Sequence, residues 1–206
     1  MASYTLTTPI PDEAIRQLHA GDTVYLNGVI ITGRDAAHKF MVESFIKSDA
    51  IPAEEAELYE RLKQLLDGGV IYHCGPVVRQ DQAGKWHFVA AGPTTSIREE
   101  VYQADVIHHF NLKGVIGKGG MAGRTLQACM EQPAVYLHAI GGAGTLIAQA
   151  VADVQDVLKL EFGVPEAMWV IDVKDFPVVV TMDSHGASIH DQVEAASKVK
   201  FEALLA

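Results

Sequence analysis

Apolar positions change their spacing several times along this chain. From Asp22 to Asp35, "DTVYLNGVIITGRD" alternates with a period near two and is rich in β-branched residues, which predicts a strand. Residues 54–69, "EEAELYERLKQLLDGG", instead place Leu58, Leu62, Leu65 and Leu66 three or four apart. That stripe predicts an amphipathic helix stopped by Gly68 and Gly69. "GGVIYHCGPVV" and "KWHFVAAGP" are short apolar runs that read as strands, the second closed by Gly-Pro.

The second half has another rhythm. "GVIGKGGMAGRTLQACMEQ" and "AVYLHAIGGAGTLIAQAVADV" each read as strand, glycine turn and helix, the signature of an α/β unit. "MWVIDV" and "FPVVVTMD" read as two later strands, the second running into a "DSHG" turn. The expected fold class is α/β, a β-rich layer joined to an α/β layer, with mixed sheets and polar residues at strand ends where open sheets bind ligands.

No repeat, low-complexity stretch or Ser/Gly linker divides the 206 residues, so residues 1–206 are expected to form a single domain. The formal net charge of -10 disfavours a general nucleic-acid or anionic-membrane surface. The opening "MASYTLTTPIPDEAI" has no basic segment followed by an apolar one, and no apolar run approaches the ~20 residues that span a bilayer, so the expected location is cytoplasmic. Cys74 and Cys129 lack CxxC spacing and are expected to be reduced, buried thiols. Two cysteines cannot supply the three or four thiolates of an iron-sulfur cluster.

Three stretches carry candidate chemistry. In "GKGGMAG", Lys118 stands among glycines after a short strand, a setting suited to an anion. The segment fits G-x-G-x-x-A, a weak fingerprint by itself, and the Walker pattern fails; Gly117, Gly119 and Gly120 serve a tight turn equally well. In "AAGPTTSIREE", Ser96 and Glu99 have capping-box spacing, and Arg98 falls in the first helical turn, where a cation is unfavourable unless something negative is expected. In "ITGRDAAHKF", Arg34 and Asp35 suit a local ion pair and His38 a structural role. His108 and His109 are adjacent and would diverge, which counts against joint metal ligation. A second glycine turn, with Gly141, Gly142 and Gly144, reads first as packing.

Taken in order, "GRDAAH", "HCGP", "GPTTSIR", "GKGG", "IGGAGTLIAQA" and "EFGVPEAMWVIDVKDFPVVVTMDSHG" resemble the β subunit of the iron-sulfur hydro-lyases, the class I fumarate hydratases and L(+)-tartrate dehydratases. In single-chain fumarases the equivalent part is the C-terminal domain. The resemblance runs from Leu6 to about Gly186. It implies a swivelling β/β/α domain and reversible addition of water to a dicarboxylate double bond, with fumarate and malate as the leading pair. It also implies an α subunit whose three cysteines carry a 4Fe-4S cluster, no cofactor or metal bound by this chain alone, and self-association of αβ units.

By the same resemblance, Arg34 and Arg98 match substrate-binding arginines, Lys118 an active-site lysine, and Thr94 a threonine assigned to deprotonation at C3. Planar guanidinium groups hold a dianion by two points, whereas lysine adds a movable charge. Cations fixed near the carboxylate that gains enolate character stabilise the transition state more than the ground state. Two other functions compete with a hydratase half: a nucleotide-binding module using the Gly117–Gly123 turn, and a non-catalytic assembly or anion-binding protein.

Overall fold

A computed structural model describes residues 1–205. The chain opens with β1 (Ser3–Thr7), α1 (Asp12–Arg16) and β2 (Thr23–Thr32). Next come α2 (Asp35–Met41), prolonged by a π-helical turn, then α3 (Ala56–Leu66), β3 (Val70–Tyr72) and the hairpin of β4 (Val77–Gln80) and β5 (Trp86–Ala90). A 3-10 turn over Ser96–Glu99 leads into α4 (Glu100–Phe110). The remainder is β6 (Gly114–Gly117), α5 (Gly123–Glu131), β7 (Val135–His138), α6 (Gly144–Ala148), β8 (Val151–Leu158), β9 (Met168–Met182) and α7 (Ile189–Leu205).

The main sheet runs β1-β2-β3-β6-β7-β9-β8, and an additional β2–β9 pairing closes β2, β3, β6, β7 and β9 into a ring. Strands β2, β3, β6 and β7 are parallel, while β9 is antiparallel to β2, β7 and β8. Parallel strands covered on both faces read as continuous apolar runs because every residue is buried. The alternation of the pleat then sorts them. Val70, Tyr72, Ile116, Val135 and Leu137 point into the ring with Trp169, Ile171 and Phe176 of β9. Ile71, Val115 and Tyr136 point the other way, onto Met41, Leu62, Leu66, Ile107 and Cys129 from α2 to α5. One core thus fills the ring and the other lies between the ring and the helices, each fully buried aliphatic side chain contributing roughly 1.5–3 kcal/mol of burial.

Three local expectations differ. "MWVIDV" and "FPVVVTMD" form one strand: exposed Lys174 and Asp175 make a bulge, Asp175 adopting φ 50° with its amide donating to Asn27 Oδ1 at 2.9 Å. The helix after the second glycine turn lasts only five residues, because Val151, Val154 and Val157 are drawn into pairing with β9 and packing on the ring core. "GGVIYHCGPVV" divides between two sheets at His73–Pro76.

Candidate active site

The carboxyl ends of the four parallel strands meet on one edge: Arg34 follows β2, His73 follows β3, Lys118 follows β6, and His138 ends β7. The segment 92–99 is threaded between two of them. The Thr94 amide donates to the His73 carbonyl at 2.7 Å, the Lys118 amide to the Thr94 carbonyl at 3.2 Å, and the Ser96 amide to the Lys118 carbonyl at 3.1 Å. Thr94, Arg98 and Lys118 are therefore held on adjoining backbone, and Arg98 reaches Arg34's neighbour, with Nη2 3.2 Å from Asp35 Oδ2. The structure brings all four sequence-predicted residues to a single edge.

Their present partners indicate what they are suited to hold. Arg34 Nη1 lies 3.1 Å from Glu166 Oε1 and 3.4 Å from the Pro165 carbonyl, while its buried Nε has no partner. Gly75 makes room for this side chain: a Cβ there would stand 2.5 Å from Arg34 Nη1. Both arginines thus rest against carboxylates. The Arg98–Asp35 pair is half-exposed and worth about 0–1 kcal/mol, so an incoming carboxylate can displace it at little cost. Thr94 Oγ1 is buried without a partner, leaving a hydroxyl free for a ligand or an apposed chain.

The expected Ser96 cap is not formed. No side chain caps the 96–99 turn, and Ser96 is fully buried with Oγ 2.8 Å from His73 Nδ1 while accepting from Tyr136 O–H at 2.9 Å. An inward hydroxyl that satisfies two buried groups is worth more than a cap at a solvated end. The same contact accounts for Gly117, where a Cβ would fall 1.8 Å from Ser96 Oγ. Gly119 and Gly120 have φ of 83° and 80°, the left-handed region.

Four buried groups stand behind this edge, of which the sequence singled out His38 for a structural role and Glu99 for a cap, with no role for His73 or Gln103. His38 Nε2 and His73 Nε2 approach Gln103 Oε1 at 3.0 and 2.9 Å, and His38 Nδ1 lies 2.9 Å from the Arg34 carbonyl. A carbonyl only accepts, so His38 Nδ1 carries a proton; if Gln103 also accepted at Nε2, His38 would be a buried cation. Burial pushes His38 below the usual histidine range and His73 well below it, so both rings are neutral. Turning the Gln103 amide so that nitrogen faces both rings satisfies them together. The fourth group is Glu99, fully buried one turn before Gln103, with neither carboxylate oxygen partnered. Burial, then the Asp35 charge, raise its pKa from 4.5 to about 7. "HCGP" and "REE" contained His73 and Glu99, and "GRDAAH" His38, but nothing in spacing marked these or Gln103 as buried.

Neither thiol suits a metal. Cys74 lies in the ring core and Cys129 in the helical core, and burial pushes each up to about 12. Among the described residues, no group of three His, Cys, Asp or Glu is arranged to hold an ion. No described helix is long and apolar enough to cross a membrane.

This edge of a mixed α/β fold, with a free hydroxyl, a lysine and two arginines resting on carboxylates, is a candidate site for an anion. The chain belongs to the family described as Fumarase C-terminus, whose model matches residues 2–193. It is 50% identical over 196 residues to a putative class I fumarate hydratase of Geobacillus stearothermophilus, covering 95% of this chain and 35% of that protein. The chain thus spans about a third of that relative's length. It is 35% identical over 185 residues to the L(+)-tartrate dehydratase subunit beta of Escherichia coli K12, covering 89% of this chain and 85% of that subunit. To a putative L(+)-tartrate dehydratase subunit beta of Methanocaldococcus jannaschii it is 36% identical over 193 residues, 93% of each.

Proposed function

We propose that this chain is the β subunit of a cytoplasmic class I type fumarate hydratase, a swivelling domain that binds fumarate and (S)-malate in a site shared with an α subunit. The observation that carries the proposal is the gathering of Arg34, Arg98, Lys118 and the unpartnered Thr94 hydroxyl on one strand-end edge. The arginines exchange Glu166 and Asp35 for the two substrate carboxylates and fix the dianion in one orientation. Lys118, whose stem passes over Gly141, places its charge against the carboxylate that gains enolate character when the C3 proton leaves. Thr94 takes that proton as its own hydroxyl proton passes to a carboxylate of the α subunit, since Thr94 Oγ1 has no partner within this chain. The 4Fe-4S cluster belongs to the α subunit, since this chain's two buried thiols do not fit it.

Fumarate is preferred to L(+)-tartrate because the identity to the named fumarate hydratase is higher, 50% against 35%. A nucleotide-binding role for the Gly117–Gly123 turn is disfavoured by the helix that follows it. The amides that would meet a phosphate are already taken: Ala122 N–H donates to Glu100 Oε2 at 2.9 Å, Thr125 N–H to Glu100 Oε1 at 3.1 Å, and Thr125 O–H to Glu100 Oε2 at 2.6 Å. The test is anaerobic co-expression with an α subunit bearing three cluster cysteines, followed by assay on fumarate and on L(+)-tartrate. Turnover of fumarate above tartrate is expected. Turnover of tartrate alone would transfer the chain to the dehydratases, and turnover of neither would end the proposal.

A further inference from the structure

Glu99 is a buried carboxyl that no protein group satisfies, set directly beneath the cationic edge. Its surroundings are Arg98 on its own turn, Arg34 and Asp35 at the start of α2, His38 one turn later, Gln103 on α4, His73 after β3 and Tyr136 on β7. An unpartnered buried polar group costs on the order of 1–3 kcal/mol, more if charged.

Two observations bear on its protonation. Neutral His38 and His73 require the Gln103 nitrogen, which leaves the Gln103 oxygen on the position that has no partner. An amide oxygen one helical turn from Glu99 disfavours a carboxylate there through its dipole, although the two groups are not within hydrogen-bond reach of each other. The second is the charge balance. Arg34 is offset by Glu166 and Arg98 by Asp35, so when the arginines turn to a dianion the two displaced carboxylates stay beside the site and its charge becomes negative. An ionised Glu99 would add a further negative charge to a site that burial shields from water.

We propose that a dicarboxylate enters this site only with Glu99 in its acid form, so that binding above neutrality takes up one proton from solvent onto a Glu99 oxygen. The inference rests on the dicarboxylate function proposed above and makes Glu99 a charge-setting residue rather than a catalytic one. The sign follows from linkage. Free Glu99 titrates near 7, where its own backbone amide and then Arg98 and Arg34 hold it down against burial and Asp35. Once the arginines turn to substrate their influence weakens and a dianion is added, both of which raise the pKa in the complex. Below pH about 7 Glu99 already carries its proton and binding is pH-independent; above it, affinity falls as pH rises.

The test uses the enzyme assembled with its α subunit, and succinate, which has no double bond to hydrate. Anaerobic calorimetry in two buffers of different ionisation enthalpy counts the protons taken up. Near pH 6 uptake should be close to zero; near pH 8 it should reach roughly half a proton or more, with affinity falling by up to about tenfold per pH unit. Glu99→Gln should abolish the uptake and flatten the pH dependence. Equal uptake in both proteins, or none in the wild type, overturns the inference. If Glu99→Gln fails to assemble, infrared difference spectra of the wild type near pH 8 decide: succinate should create a carboxylic-acid carbonyl band at the expense of a carboxylate, and its absence is contradictory. Succinate binding without proton uptake removes only the role of Glu99. Failure of succinate to bind at any pH removes the dicarboxylate function and this coupling together.

Discussion

The two glycine turns of the second half are written with the same pieces, a short strand, two or three glycines and a helix, yet they have different fates. The turn after β6 is locked from several sides. Gly117 is pressed by Ser96, Gly120 by the His190 ring, and α5 is capped by Glu100. The turn after β7 is open: a Cβ on Gly142 would meet nothing within 4 Å, and Ile140 and Leu146 beside it are 68% and 67% exposed. Glycine answers to crowding at Gly117 and Gly120 and to a positive φ alone at Gly142, although Gly144 at the foot of the second turn backs closely onto Gly92. The crowded turn is the one that carries Lys118, consistent with a charge that must be held in place to contribute to a transition state.

The largest effect should come from forcing a side chain into the locked turn. Gly117→Ala puts a methyl onto Ser96 and Tyr136 and should cost about 3 kcal/mol or more, by urea unfolding, because the Tyr136–Ser96–His73 chain must break. Gly142→Ala in the open turn meets only its φ of 83° and should cost about 1 kcal/mol. Equal costs would erase the distinction between the turns.

Arg98, on the same edge as the locked turn, tests whether that edge is built for a planar clamp. Arg98→Ala should lower kcat/KM of the assembled enzyme by roughly 100-fold, about 3 kcal/mol, and Arg98→Lys should recover little because one ammonium cannot replace two-point contact. Near-wild-type kinetics in both, with the complex intact, would reduce Arg98 to the partner of Asp35.

The smallest effect concerns the cap. Glu100→Gln keeps the shape but removes the charge at the α5 N-terminus, and should cost about 1 kcal/mol of stability while leaving fumarate turnover within a few-fold. Acquired binding of inorganic phosphate by this variant would indicate that Glu100 occupies an anion site.

These contrasts mark how far the sequence could be read. Leu58, Leu62, Leu65 and Leu66 announced α3, and the strand–glycine–helix units announced β6–α5, because local periodicity and chain reversal decide them. Closure of the ring by β2 and β9 was not legible, since it depends on pairing residues as distant as Thr23 and Val179. Nor was the single long β9, whose Lys174–Asp175 bulge resembles a turn until Asn27 is seen to support it. At the site, the exposed or half-exposed cations were visible through motifs, whereas His73, Gln103 and Glu99 became functional candidates only once burial was known. Ser96 shows the same limit: capping spacing was present, and a tertiary contact overrode it.

The central claim is that Lys118 meets a substrate carboxylate on the strand-end edge, and Lys118→Met tests it most directly. The lysine is half-buried and a methionine stem fills similar space, so the complex with the α subunit should assemble with unchanged stability. Its kcat/KM for fumarate, measured anaerobically beside the wild type, should fall by roughly 100-fold or more, a loss of about 3 kcal/mol of transition-state stabilisation. An undiminished hydratase rate, together with tight NAD or ATP binding by the wild-type chain that Lys118→Met abolishes, would contradict it.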